Sequence, residues 1–244
     1  MALIHMEAYS EVLGMNRQTL VIVPENAEPE HPAKVLFLLH GLTDDASCWD
    51  RRSRVEHYAD GRNFVVVMPE GDRSFYTDSP LGNYRTYLER ELPEQIARNF
   101  NISSRREDTY IGGLSMGGYG ALKIGLRNPE SYRRVFAFSS ALDYEQNLLR
   151  FCVAPGIPFS EETREEEDLL RILERDLAAK KTLPTLYLFC GKQDSFFAEN
   201  QRFDALLSER GVPHTAQWGD GCAHEWRYWD AALCESLRIL AEDA

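Results

Sequence analysis

Residues 109 to 118 read Thr-Tyr-Ile-Gly-Gly-Leu-Ser-Met-Gly-Gly. The first three residues are typical of a short buried strand, the stretch Met116–Arg127 is typical of a helix, and the junction carries the pattern Gly-x-Ser-x-Gly around Ser115. Between a strand and a helix this pattern predicts a nucleophile elbow, a turn so tight that Gly113 and Gly117 must lack side chains. The serine would then lie at a helix N-terminus, where the dipole favours negative charge. A phosphate-binding turn is the alternative, but the stretch has neither the Gly-x-Gly-x-x-Gly nor the P-loop spacing.

Further short apolar runs lie on both sides of this stretch and predict strands that are buried on both faces. Together with Thr109–Ile111, the runs are Val35–Leu39, Phe64–Met68, Arg134–Phe138 and Leu186–Cys190, with a weaker one at Thr215–Trp218. The alternation at Gln18–Val23 predicts an antiparallel strand. Helices are expected at Trp49–Tyr58, Tyr84–Phe100, Met116–Arg127, Glu161–Lys181, Glu199–Arg210 and Glu225–Leu240. Alternating strands and helices predict an α/β fold of three layers around a mostly parallel sheet. Since such folds often use this whole length for one sheet, we expect a single domain over residues 1–244.

The longest interval after a strand, Ala141–Lys181, is expected to be an insertion that borders the active site. More than half of it, Glu161–Lys181, reads as an amphipathic helix that Ser160 can cap, with acidic residues in its first turns and lysines at its end. The acidic residues lack the spacing of a calcium loop, so we expect them to form a solvated helix face. The preceding Phe151–Phe159 holds two prolines and is expected to form a stiff lip over the site.

The charge balance limits the partners of the chain. Lys and Arg number 27 against 39 Asp and Glu, which gives a net charge of −12 and disfavours phosphate backbones and anionic lipid surfaces. No apolar run approaches the roughly 18 residues of a membrane span, and the N-terminus lacks the features of a signal peptide. We therefore expect a cytoplasmic protein that binds neither nucleic acid nor a membrane, with self-association left open.

A catalytic serine needs a base, and in this architecture the base follows the nucleophile and the acid along the chain. Two histidines, His214 and His224, lie downstream of Ser115. His224 lies in a glycine-rich loop between the last strand and the last helix, from which an imidazole can reach the elbow. His214 begins a predicted strand, where a structural role is expected. The pattern therefore favours His224 as the general base.

The acid that orients the base should follow a buried strand. Asp194 comes just past the strand Leu186–Cys190, where it would fix the tautomer of the base and stabilise the imidazolium. Asp143 follows the preceding strand and is the rival candidate. Asp220 is too near His224 in the chain and reads as a turn residue.

The oxyanion hole of such a site needs two backbone N–H groups. One belongs to Met116, the residue after the nucleophile, and the other is expected from the loop after the first buried strand. We assign that second amide to Leu42. His40 in the same loop precedes both nucleophile and acid, and it is expected to shape the loop.

The five cysteines are odd in number and widely spaced, without a CxxC pair. Neither a disulfide framework nor a zinc site is predicted, and no other cluster has metal-ligand spacing. Cys222 precedes His224 by two residues, and Cys48 follows the oxyanion loop. We expect maleimide on these two thiols to inhibit partly through its bulk.

Taken together, these motifs resemble the esterase D-like branch of the α/β-hydrolases, and within it the small tributyrin esterases. The resemblance spans nearly the whole chain and is carried by Leu38–Asp45, Val67–Pro69, Ser74–Asp78, Arg106–Thr109, Gly113–Leu122 and His224–Trp226. It implies the α/β-hydrolase fold, hydrolysis of short-chain acyl esters and no cofactor. It also implies that Ser115, Asp194 and His224 form a catalytic triad, with the amides of Leu42 and Met116 as the oxyanion hole. The segment Phe151–Phe159 departs from the family pattern.

The expected partner is a small-molecule ester with a short acyl group. Phe75 and Tyr76 follow the second buried strand and are expected to line the substrate site as aromatic walls. A thioesterase or acyltransferase would use the same triad, and so the sequence does not separate oxygen esters from thioesters. A catalytically silent binding protein on the same fold is the third alternative, because fold does not fix function.

Overall fold

The apolar runs become the inner strands of an eight-stranded sheet in the computed structural model, which describes residues 1–25, 30–143, 145–147 and 165–242. The strands of the chain are β1 Ala2–Ser10, β2 Met15–Val23, β3 Lys34–Leu39, β4 Phe64–Pro69, β5 Asp78–Ser79, β6 Gly82–Asn83, β7 Thr109–Leu114, β8 Arg134–Phe138, β9 Thr185–Gly191 and β10 His214–Gly219. The main sheet has the order β1-β2-β4-β3-β7-β8-β9-β10, and β5 pairs with β6 in a separate two-stranded sheet. The predicted segment Phe151–Phe159 and the predicted cap Ser160 lie outside the described residues.

The main sheet is parallel from β4 to β10, which confirms the predicted α/β class. Strand β2 pairs antiparallel with both of its neighbours, β1 and β4, at one edge of the sheet. Strand β1 is absent from the sequence prediction. It lies at the sheet edge with half of its residues exposed, so it lacks the continuous apolar run of a strand buried on both faces.

Helices cover both faces of the sheet and make the outer two layers. On one face lie Tyr84–Asn99, Met116–Arg127, Leu169–Ala178 and Phe197–Glu209, and on the other lie Cys48–Arg52, Val55–Ala59 and Trp226–Ala241. Successive residues of β3 alternate between the two cores: Val35 and Phe37 pack on the first face, and Leu36 packs on the second. No helix among the described residues is long and apolar enough to cross a membrane.

Three predicted helices differ from those observed. The segment predicted as Trp49–Tyr58 is two short helices, because Ser53 between them is extended and the Arg54 N–H donates to Asp230 in the last helix. The segment Tyr84–Asn99 contains a π-helical turn, Tyr87–Glu91, just before Pro93. Proline has no N–H to donate to the preceding turn, which accounts for the irregularity there.

Within the described residues, the helix predicted over Glu161–Lys181 is interrupted at Asp168: residues 165–167 are helical, and a second helix covers Leu169–Ala178. Asp168 is the N-cap of this second helix, and its side chain accepts the N–H groups of Leu170 and Arg171. The prediction of a solvated acidic face is also wrong at one position. Glu167 is buried, because Lys123 of the helix Met116–Arg127 supplies a cationic partner inside the protein.

Candidate active site

The elbow places Ser115 at the end of β7 with φ of 56° and ψ of −115°, an unusual conformation for a residue with a side chain. The two flanking glycines make this turn fit. A Cβ on Gly113 would lie 2.4 Å from the carbonyl oxygen of Gly117, and a Cβ on Gly117 would lie 2.6 Å from the carbonyl oxygens of Leu39 and His40. These contacts are too short for any side chain, so the backbone of β3 and the elbow can approach only through glycine.

Three side chains form a continuous hydrogen-bonded line at this turn. His224 Nε2 lies 3.1 Å from Ser115 Oγ, and His224 Nδ1 lies 2.9 Å from Asp194 Oδ2. The Asp194 carboxylate is buried, and its Oδ1 accepts the backbone N–H of Phe196 at 2.9 Å. The structure therefore brings together the three residues that the sequence singled out, in the order nucleophile, base and acid.

The His224 ring is held by aromatic neighbours as well as by Asp194. The edges of Phe196 and Trp229 meet it with ring centroids 5.2 Å and 4.7 Å away. The Trp229 indole N–H donates to Ser139 Oγ at 2.9 Å, which fixes the ring in turn. These two ring contacts and the hydrogen bond to Asp194 hold the imidazole beside Ser115.

The rival residues lie elsewhere. Asp143 accepts the backbone N–H of Gln146 at 3.0 Å. Asp220 is largely exposed and pairs with Lys192. His214 lies at the start of β10, the end of the sheet opposite the elbow; its Nδ1 is 2.7 Å from the Val212 carbonyl and its Nε2 is 3.0 Å from Asp204. His214 is therefore structural, as expected.

The two residues expected to supply the oxyanion amides line the same cavity as the serine. Leu42, Met116 and Ser115 all line a cavity of about 550 Å³ at the carboxyl ends of the strands, which is where open α/β sheets bind ligands. His40 is buried behind the oxyanion loop, with Nδ1 2.7 Å from the Gly41 carbonyl oxygen and Nε2 2.9 Å from the Gly71 amide nitrogen. It holds two loops of the site together and does not face the substrate.

Sequence reasoning missed Glu70, which lies 3.2 Å from His40 Nε2. Burial opposes ionisation of this carboxyl, but its hydrogen bonds with His40 and with the N–H groups of Ala46 and Asp72 lower its pKa to about 2. Glu70 therefore anchors the oxyanion loop as a carboxylate. The signal that could have found it is the one that found Asp194, an acid directly after a buried strand.

The two predicted aromatic walls have different places. Phe75 lines the cavity beside Ser115. Tyr76 is a correction to the prediction, because it is completely buried behind the cavity wall and its hydroxyl donates to the His40 carbonyl at 2.8 Å. A buried phenol needs a hydrogen-bond partner, and the oxyanion loop supplies one away from the cavity. Other aromatic walls come from Phe196, Trp226 and Trp229.

Among the described residues, no group of three or more His, Cys, Asp and Glu side chains could hold a metal ion. The groups that meet at the elbow are a serine, an imidazole and a carboxylate. Where such groups act together, they can carry out nucleophilic acyl transfer.

The thiols near the site should differ sharply in reactivity. Cys48 is fully buried, and burial together with the carboxylates of Asp44 and Asp45 raises its pKa, which argues against the expected reaction with maleimide. Cys222 is partly exposed. We expect mass spectrometry of the native protein to find maleimide on Cys222 and not on Cys48, with partial inhibition that Cys222→Ser abolishes. Inhibition that persists in Cys222→Ser would contradict this.

The fold and the elbow define the class of protein: an α/β-hydrolase with a serine at its elbow. Residues 10–240 match the family described as "Putative esterase". An acetyl esterase of Caldicellulosiruptor saccharolyticus is 26% identical over 265 residues, with 99% of each chain covered. Two solved structures from Staphylococcus aureus cover 98% of both chains: the substrate-bound fluorophosphonate-binding serine hydrolase F, with 29% identity and a TM-score of 0.87, and the S-formylglutathione hydrolase, with 30% identity and a TM-score of 0.85.

The chain belongs to this esterase family, and it is a carboxylic ester hydrolase. A ferulic acid esterase with 22% identity and a TM-score of 0.83 has the same fold. The acetyl esterase, the S-formylglutathione hydrolase and the ferulic acid esterase are named for different substrates. Because these names differ, the substrate of this chain has to be inferred from its own site.

Proposed function

We propose that the protein is a serine esterase that hydrolyses short-chain acyl esters through an acyl-enzyme on Ser115. The observation that carries this proposal is the hydrogen-bonded line from Ser115 through His224 to Asp194 at the wall of a cavity. The resemblance to the small tributyrin esterases supports the short acyl group.

The first half of the reaction transfers the acyl group to the enzyme. His224 Nε2 accepts the Ser115 proton as Oγ attacks the ester carbonyl, and the imidazolium that forms is stabilised by Asp194. The amides of Leu42 and Met116 donate to the oxyanion, each worth about 2.7–4 kcal/mol in related sites. The tetrahedral intermediate collapses when the C–O bond breaks and His224 passes its proton to the departing alcohol.

The second half returns the enzyme to its starting state. Water loses a proton to His224 as its oxygen attacks the acyl carbonyl, and the same two amides hold the new oxyanion. The intermediate collapses when the bond between the acyl carbon and Ser115 Oγ breaks and His224 returns the proton to Oγ. The carboxylic acid then leaves. Ala141, the first residue of the interval 141–181, lines the cavity. We therefore propose that this interval borders the substrate site.

The acyl length can be tested directly. The cavity walls include the rigid rings of Phe75, Phe196, Trp226 and Trp229, and a methylene that fits contributes about 0.8 kcal/mol while one that does not fit costs packing. We expect kcat/KM on p-nitrophenyl esters to peak between acetate and butyrate and to fall sharply by octanoate. An optimum at octanoate or palmitate would contradict the short pocket.

A thioester substrate is the second candidate, because an S-formylglutathione hydrolase is 30% identical to this chain. Matched pairs of an oxygen ester and a thioester with the same acyl group separate the two activities. We expect the oxygen ester to have the higher kcat/KM in each pair. A consistent preference for S-formylglutathione over short oxygen esters would replace the proposed substrate class.

A further inference from the structure

The wall residue Phe75 has a backbone conformation that its own sequence does not favour. Phe75 and its neighbour Tyr76 have φ of 50° and 55°, the left-handed region that bulky side chains rarely enter. Such residues persist only where the surroundings determine their conformation. Groups around Phe75 must therefore hold it in place at the cavity wall.

One such group is a buried cation on the helix that follows the nucleophile. Lys123 is completely buried, and its ammonium group donates to the Phe75 carbonyl at 3.3 Å and to Thr77 Oγ1 at 2.9 Å. It also pairs with the buried carboxylate of Glu167 and lies 4.8 Å from the ring centroid of Tyr119. The partners of this one amine therefore lie on the segment that carries Phe75, on its own helix and at Glu167, just before the helix Leu169–Ala178.

Thr77 and Tyr119 close the same cluster from both sides. The Thr77 hydroxyl lies 2.8 Å from Glu167 Oε2, and the Tyr119 hydroxyl lies 2.8 Å from the Glu167 carbonyl oxygen. The Phe75 ring packs against the Tyr119 ring with centroids 6.0 Å apart. The backbone and the ring of Phe75 are thus both held by residues that do not line the cavity themselves.

A buried ion pair of this kind is a poor source of stability. Removing two charges from water costs as much as their attraction returns, and an apolar pair of similar volume is often at least as stable. What an apolar side chain at position 123 cannot do is donate a hydrogen bond to the carbonyl of a residue in the left-handed region. The buried charge of Lys123 is therefore better explained by its hydrogen bond to the Phe75 carbonyl than by a gain in the stability of the fold.

We propose that Lys123, neutralised by Glu167, is a positioning residue that holds Phe75 as the wall of the acyl pocket and so limits acyl length. The proposal rests on the proposed esterase function and deepens it. Lys123 contacts no reacting atom and acts through Phe75. Its loss should leave Ser115, His224 and Asp194 in place while the wall gains freedom.

The test compares chain-length selectivity in variants. In Lys123→Met, we expect the ratio of kcat/KM for butyrate to that for octanoate to fall by about tenfold, because a mobile wall admits methylenes that the fixed wall rejects. The change should appear mainly in KM for the longer ester, with kcat on acetate near wild type. A merely structural role would lower all esters together and leave the ratio unchanged.

Two further variants keep the test interpretable. Lys123→Met combined with Glu167→Gln avoids an unpaired buried carboxylate and should show the same altered ratio even if the single variant folds poorly. Arg127→Met is the matched control: Arg127 lies one turn further along the same helix, and its described partners are Glu89 and Glu166. We expect Arg127→Met to retain the wild-type ratio.

An unchanged ratio in the folded double variant would overturn the proposal, and so would an equal change in Arg127→Met. The rates at which ethyl and octyl fluorophosphonates label Ser115 give a second measure of chain-length selectivity, one that needs no ester turnover. A wild-type protein that labels but hydrolyses no ester would refute the proposed function. The ratio of the two labelling rates would still decide the role of Lys123.

Discussion

Replacement of Ser115 by alanine should lower kcat/KM on p-nitrophenyl acetate by at least about 10⁴-fold and abolish labelling by a fluorophosphonate probe. The physical reason is that the Oγ 3.1 Å from His224 Nε2 is the atom that would form the acyl bond. His224→Ala should cost about as much, and the double variant no more than either single one, because the members of a triad act as a unit.

The matched control is Ser195→Ala, since Ser195 lines the same cavity and has no place in the proposed mechanism. It should retain near wild-type turnover and full labelling. Melting temperatures of all variants should show that Ser115→Ala is folded. A folded Ser115→Ala protein with near-normal turnover would end the acyl-enzyme mechanism.

Replacement of Asp194 by asparagine should lower kcat by about 10⁴-fold with little change in KM. The Asp194 carboxylate lies 2.9 Å from His224 Nδ1 and stabilises the tautomer that leaves Nε2 free to accept the Ser115 proton. An amide can present its NH₂ group there and favour the opposite tautomer, and it cannot stabilise an imidazolium. The measurement is a Michaelis–Menten series on acetate or butyrate esters.

Asp143→Asn is the matched control for the acid, because Asp143 was the rival in sequence and its carboxylate accepts a local N–H from Gln146 instead. We expect it to retain wild-type kcat. If Asp143→Asn were inactive and Asp194→Asn active, the hydrogen-bonded line seen here would not be the catalytic one.

Much of the fold and of the candidate site could be predicted because the signals are local. Continuous apolar runs mark strands buried on both faces, and β3, β4, β7, β8 and β9 lie where those runs lie. Asp194 and His224 were found by their position after a strand, since the carboxyl ends of parallel strands meet at one edge. The edge strand β1 gave no such signal, because an exposed strand needs no apolar run.

Features that depend on distant partners were not predictable in this way. The break between the helices Cys48–Arg52 and Val55–Ala59 is fixed by Asp230, which is 176 residues from Arg54 in the chain. In the sequence, Glu167 is one of several acids of a predicted surface helix. In the structure it forms a buried ion pair with Lys123, which is 44 residues away in the chain. Each case is a polar group whose partner is chosen by packing.

The sequence by itself determined the α/β class, the elbow at Ser115 and the candidate base and acid, because glycine spacing, apolar runs and positions after strands are properties of short segments. Only the tertiary structure decided that Phe75 lines the cavity while Tyr76 lies behind it, and that Lys123 and Glu167 form a buried pair. Those outcomes depend on which polar groups must find partners once water is excluded, and the partners come from segments far apart in the chain.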